Sequence, residues 1–229
     1  MVGKTPKQYL VRTLMAAASL AAVVLAAPAQ ADVDVKFEGY VADKMDAITR
    51  IDKSREKVFR RFREEGSRTQ VRASDTLNRS YFSGTEWANE RIFPDFSNYN
   101  VPDLIKGMME RGIKEADPDF AGTVEVTVDK IRVKDFSLAV VSATTTQMGG
   151  KVRVLDAAGN VVAEHDVWAG IVPEYSASTN YNGRNYAYLE SAADTRIGPI
   201  VAEFTEKALE TLYPNYDAPG LVLIHPRRM

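Results

Sequence analysis

Val33, Val35 and Phe37 alternate with Asp34, Lys36 and Glu38, a period of two that predicts a half-buried strand over 33–40. The period then lengthens. Met45, Ile48, Ile51, Val58, Phe59 and Phe62 recur at intervals near three and four, and Gly66 supplies a stop, so a helix is expected over most of 43–65. Residues 48–51 alternatively extend the strand. Residues 67–100 keep no period, and their second half mixes Gly, Ser, Asn and Pro with Tyr81, Phe82, Trp87, Phe93, Phe96 and Tyr99. This is read as a long irregular excursion, a kind of segment that is usually functional or mobile unless its aromatics pack back on the domain.

Order returns at Asn100, which can cap a helix carrying Pro102 and Asp103 in its first turn and the stripe Val101, Leu104, Ile105, Met108, Met109, Ile113. That helix should end near Asp117-Pro118. Three strands are expected next. Val124, Val126 and Val128 change phase to Ile131 and Val133, as a bulge near Asp129-Lys130 would require. Leu138, Val140, Met148, Val152 and Val154 share parity across Gly149-Gly150, so one long strand bent at the glycines is predicted. After the turn 156–160, Val161, Ala163, His165, Val167, Ala169 and Ile171 line one face of the third strand, completing an antiparallel meander.

Asn182-Gly183 signals a tight hairpin or an ordered loop. Ile197, Ile200, Val201, Phe204, Ala208, Leu209 and Leu212 mark a last helix, with Pro199 in its first turn or kinking a longer helix that starts near Tyr188. The apolar tail 221–225, bounded by Pro219-Gly220 and Pro226, reads as a final edge strand. The fold class expected is α+β: an antiparallel or mixed sheet with helices packed on one face.

The first 31 residues stand apart from this domain. Lys4, Lys7 and Arg12 precede a run of about 14 small and apolar residues, Leu14 to Ala27, too short for a permanent span, and Ala29-Gln30-Ala31 follows Pro28. A cleavable signal peptide over 1–31, cut between Ala31 and Asp32, is therefore expected, with a periplasmic product of one domain over 32–229 and no transmembrane segment after cleavage. Losing those three cations takes the formal charge from −2 to −5, which does not favour nucleic acid as a partner. The chain has no cysteine, so neither a disulfide nor a lipid anchor on sulfur is available.

Candidate chemistry is sparse. There are two histidines, His165 and His225, and no nucleophile elbow, phosphate loop or metalloprotease motif; no metal or cofactor is expected. His165 reads as a partly buried residue at a sheet margin or, beside Glu164 and Asp166, as the base of a hydrolase acting on an envelope polymer. Neighbours in a strand point to opposite faces, which weakens the second reading. Between Lys53 and Arg72 eight basic residues face three acidic ones, so Arg60, Arg61 and Arg63 either meet an anionic partner or belong to a solvated face paired locally. The aromatic segments supply the other contact candidates: Tyr81, Trp87 and Phe93 in the excursion, then Trp168, Tyr175, Tyr181, Asn182 and Tyr186. Such residues form contact surfaces, and they also cap cores.

From Val124 onward, the order strand, long strand with Met148, turn with Asp156-Ala157-Ala158-Gly159-Asn160, strand and closing helix resembles small α/β domains of bacterial envelope proteins, among them lipoprotein-type domains and the N-terminal domain of TolB. The resemblance covers about 120–213 and rests on element order and turn composition; the chain departs from it in lacking an anchoring cysteine and in carrying the excursion. It implies a non-enzymatic binding or assembly module contacting an envelope protein or a glycan or lipid component. A structural oligomer subunit is the remaining alternative, the oligomeric state being left open.

Overall fold

The computed structural model describes residues 32–65, 68–72, 75–78, 84–137, 140–176 and 180–225. The expected signal peptide lies outside the described residues. The chain opens with β1 (Asp32–Phe37), turns at Gly39, whose φ of +54° suits a residue without a side chain, and enters the long helix α1 (Gly39–Glu65). Two short strands, β2 (Arg68–Arg72) and β3 (Asp75–Asn78), pair antiparallel, and a five-residue helix α2 (Ala88–Ile92) and a single 3-10 turn at Phe96–Asn98 follow. The excursion expected to be irregular thus contains regular elements. Their brevity is why no period was visible.

Helix α3 (Val101–Ala116) begins as expected, with the Asn100 side chain accepting the Asp103 N–H at 2.8 Å. Strands β4 (Thr123–Lys134), β6 (Gln147–Leu155) and β7 (Val161–Gly170) form the meander, with β1 parallel to β4 in the order β1-β4-β6-β7. The register shifts between Val128 and Lys130, where the phase change placed the bulge. Gly150 sits opposite it; a Cβ there would lie 2.2 Å from the Thr127 carbonyl oxygen, so the glycine permits the close strand approach.

One expectation fails in the middle of the meander. Leu138, where the long strand was expected to start, lies outside the described residues; β6 starts at Gln147, and before it the Ser137 carbonyl accepts from both Val140 (3.0 Å) and Ser142 (3.1 Å), a turn in place of the expected strand. Only a two-residue strand, β5 (Ser142–Ala143), follows this turn, pairing parallel with the end of β4.

A second sheet joins β8 (Glu174–Ser176), β9 (Tyr186–Leu189) and β10 (Leu221–Ile224), and here the tail corrects its prediction. It is the central strand, parallel to both neighbours, not an edge. Leu221 and Leu223 enter the main core while Val222 and Ile224 enter a smaller one with Phe59, Trp87 and Leu189. A strand apolar on both faces needs cover on both. The Asn182-Gly183 hairpin is likewise absent: β8 and β9 flank β10, and Gly183 is not in the left-handed region a type I′ turn requires. The last helix, α4 (Gly198–Leu212), carries Pro199 in its first turn; residues 190–195 before it are 3-10, so no longer kinked helix exists.

Helices α1, α3 and α4 pack on one face of the main sheet, as the α+β reading required. Between them lie Val124, Val126, Ile131, Met148, Val152, Val167 and Ala169 from the strands and Ile48, Leu104, Met108, Ile113, Ile200 and Phe204 from the helices, all buried. Burial of each such side chain contributes roughly 1.5–3 kcal/mol. No described helix is long and apolar enough to cross a membrane.

Candidate functional site

The aromatic segments expected to make separate contacts pack on each other. The Glu86 N–H donates to the Tyr181 carbonyl at 2.9 Å, and Trp87 forms an isolated bridge with Ala187. Arg91 on α2 donates to the carbonyls of Gly183 (2.8 Å), Arg184 (3.0 Å) and Asn185 (3.3 Å), which orders the Asn182-Gly183 loop without a hairpin. Trp87, Phe93 and Tyr186 are consequently core residues; Trp87 meets Phe59 edge to face at 4.9 Å and Phe93 meets Tyr99 at 5.3 Å. In this packing each of the three is closed off from solvent. Tyr181 is half-buried, its hydroxyl accepting the Asn185 N–H, and Asn182 is exposed beside it. Tyr81 and the side chain of Arg63 lie outside the described residues.

Beneath this packing runs a buried polar network with no single sequence motif. Asp52 and Glu56 lie one turn apart on α1, in phase with Val41, Met45 and Ile48, and both are sealed from solvent. Asp52 accepts the Tyr99 hydroxyl and, at 2.9 Å, the Ile197 N–H. Glu56 accepts from Arg196, from Arg60 Nε at 2.7 Å and from Asn89 Nδ2 at 3.0 Å. The Asn89 Oδ1 in turn takes the Tyr188 hydroxyl at 2.6 Å. Burial first, and then the nearby Asp52 charge, hold the Tyr99 and Tyr188 hydroxyls far above the usual phenol range, while burial lowers Arg196. Arg60 points inward, donating also to the carbonyls of Asn89 and Phe93, so this member of the expected anionic trio is committed to the fold. Arg61 is exposed. The network joins α1, α2, β9 and the entry to α4.

The opposite face of the main sheet is open and charged. Lys36 pairs with Glu125 at 2.7 Å, and Glu164 accepts from both Lys151 (2.7 Å) and Arg153 (2.6 Å), which holds its carboxyl below the usual range. His165, opposite Val152 in register, is exposed instead of partly buried, because helices cover β7 only near Val167 and Ala169. Glu164 faces the other side of the strand and is occupied by two cations, so the pair has no shared geometry for general base chemistry. The other histidine, His225, touches the Glu190 carboxylate through Nδ1. Among the described residues no group of three His, Asp or Glu side chains is placed to hold a metal.

The large apolar side chains on display among the described residues are Tyr40 on α1, Val161, Val162 and Trp168 on β7, and Val172 and Tyr175 beyond it. Trp168 is 55% exposed at the outer strand of the main sheet; its ring sits over Gly149, where a Cβ would come within 2.9 Å of Cε3, and Lys130 Nζ stands 4.4 Å from the ring centroid. Past the end of β7, Val172 and Tyr175 are 77% and 65% exposed. The Val172 N–H donates at 3.2 Å to Glu203, a buried residue of α4 whose pKa burial raises to about 7. Trp168 and Tyr175 were expected contact residues. Val172 and its Glu203 anchor were not, and no sequence pattern singled them out.

The fold and this surface define an α+β domain that covers one sheet face with helices and ends both sheets in exposed strands. No family model matches the chain, and neither a curated protein nor a solved structure matches it.

Proposed function

We propose that the chain, once exported, is a non-enzymatic binding or assembly module of a bacterial cell envelope, and that it engages a protein partner along β7 and β8. The observation that carries this reading is the display of Trp168 on β7, Tyr175 on β8 and Val172 between the two strands, with the Val172 backbone held by Glu203. Large apolar side chains grouped at a sheet edge mark contact sites. The resemblance in element order to envelope domains and the export signal expected at residues 1–31 support that compartment. Self-association through β7 is disfavoured: in an antiparallel pair of identical strands, Glu164 and Asp166 of one copy would face those of the other.

A photo-crosslinking residue placed at Val172 in the full chain, expressed in cells and illuminated, should trap one predominant protein species. The same residue at Lys114, on the exposed surface of α3, should not. Equal trapping at both positions, or none at Val172, overturns the reading.

A further inference from the structure

We infer that the groove between α1 and the turn preceding α3 binds the anionic headgroup of a membrane phospholipid, independently of the β7–β8 surface. The groove is shallow and open to solvent, with a volume of about 640 Å³. Its wall is one stripe of α1, Arg50, Lys53 and Lys57, at i, i+3 and i+7, which sets three cations along about 10 Å of helix. Its apolar lining is Met45, Phe96 and Pro102, and Asp46 is the one carboxylate lining it.

The three cations are not equivalent. Lys53 is pinned, donating to the Ser97 carbonyl at 2.7 Å with its ammonium 5.4 Å from the Phe96 ring. Arg50 and Lys57 flank it, both exposed and neither with an ionic partner among the described residues. This contrasts with the open sheet face, where Lys36, Lys151 and Arg153 are all neutralised by carboxylates. In a chain of formal charge −2, a groove with a net positive lining and unpaired cations at both ends is complementary to an anion. The apolar lining selects one that carries hydrocarbon beside the charge, because a small hydrated anion gains nothing from Met45, Phe96 and Pro102. A phosphodiester headgroup with its glycerol and first methylenes meets both requirements, and a helix with cations along one exposed face is suited to an anionic bilayer surface.

The test is co-sedimentation of the chain lacking the expected signal peptide, residues 32–229, with vesicles of phosphatidylcholine alone or with one quarter phosphatidylglycerol, at low salt. Binding should require phosphatidylglycerol and fall about tenfold or more in the Arg50→Gln/Lys57→Gln variant. Lys106→Gln/Lys114→Gln, which removes two cations on α3, should leave it within twofold, as should Lys114→Gln alone. The charge-keeping swap Arg50→Lys/Lys57→Arg should retain most of it, which separates lost charge from lost fold. Phe96→Ser should weaken binding with no change in charge. Equal binding to both vesicle types, an equal loss with Lys106→Gln/Lys114→Gln, or displacement of the protein by millimolar inorganic phosphate at constant ionic strength would overturn the proposal, the last by showing a site for a free anion.

Discussion

Arg196 and Glu56 meet as an ion pair whose side chains are only 5% and 1% exposed, linking the entry of α4 to the middle of α1. Taking two charges out of water costs several kcal/mol per ion, which their attraction and the hydrogen bonds from Arg60 and Asn89 to Glu56 offset. Removing only one partner strands the other. Glu56→Leu should therefore lower stability by about 3–5 kcal/mol in urea unfolding. Glu56→Leu/Arg196→Met should lie closer to the wild-type chain than either single variant; strict additivity of the two losses would show that the pair does not act as a unit.

The two tryptophans report different places. Trp87 is 3% exposed against Phe59, while Trp168 is 55% exposed over Gly149. Iodide should quench roughly the Trp168 part of the fluorescence and leave a shielded, blue-shifted remainder. Trp168→Phe should remove the quenchable component with a stability change within about 0.5 kcal/mol, as expected of an exposed side chain. If Trp168→Phe instead left quenching intact, the exposed placement of this residue would be wrong.

Gly150 tests the strand approach at the bulge. A methyl at this position meets the Thr127 carbonyl oxygen at 2.2 Å and the Val128 Cα at 3.0 Å, both backbone atoms that cannot swing aside. Gly150→Ala should cost about 1–3 kcal/mol, the usual range for overpacking. Gly159→Asn, in the 156–160 turn where φ is +83° and nothing lies within 4 Å of the added Cβ, should cost less than that. Comparing the two midpoints of urea unfolding checks this order.

Where a helix had a cap and a single apolar stripe, or a strand alternated cleanly, the sequence announced the element. Asn100 with Leu104, Met108 and Ile113 is one case, and the phase change after Val128 is another. Of the second sheet only Leu221–Ile224 was legible, from its apolar run, and its burial on both faces left no alternation to show that it is central; its partners β8 and β9 are three and four residues long, too short for a period. The buried network left a signal that went unused. Asp52 and Glu56 continue the stripe of Val41, Met45 and Ile48, and carboxylates in phase with core positions are better read as buried partners than as part of a charged surface. The aromatic excursion was ambiguous for a chemical reason: the same side chains suit a core and a contact surface, and only the tertiary pairing with residues 181–187 sent Trp87, Phe93 and Tyr186 inward.

Glu203 gives the molecule a pH dependence of definite sign. It is 2% exposed on α4, burial lifts its pKa to about 7, and neighbouring Glu206 adds to the lift while Lys207 and the Val172 N–H oppose it. In the unfolded chain the same carboxyl titrates near the ordinary glutamate value of about 4.3. The folded state therefore holds a proton that the unfolded state has released throughout the window between about 4.3 and 7, and its contribution to stability falls as pH rises through that window. The contribution is fully present below the lower value and amounts to a loss on the order of 3 kcal/mol by the upper end. Glu203→Gln, which keeps an acceptor for Val172 without the ionisable proton, should flatten this part of the stability profile while preserving the fold. Thermal melts of both proteins from pH 4.5 to 7.5 decide it: a wild-type slope unchanged by the substitution would place the titrating group elsewhere. Because the Val172 N–H favours the charged carboxylate, ionisation should strengthen that hydrogen bond and hold amide exchange at Val172 near pH 7 below the ordinary base-catalysed increase, a protection that Glu203→Gln would lack.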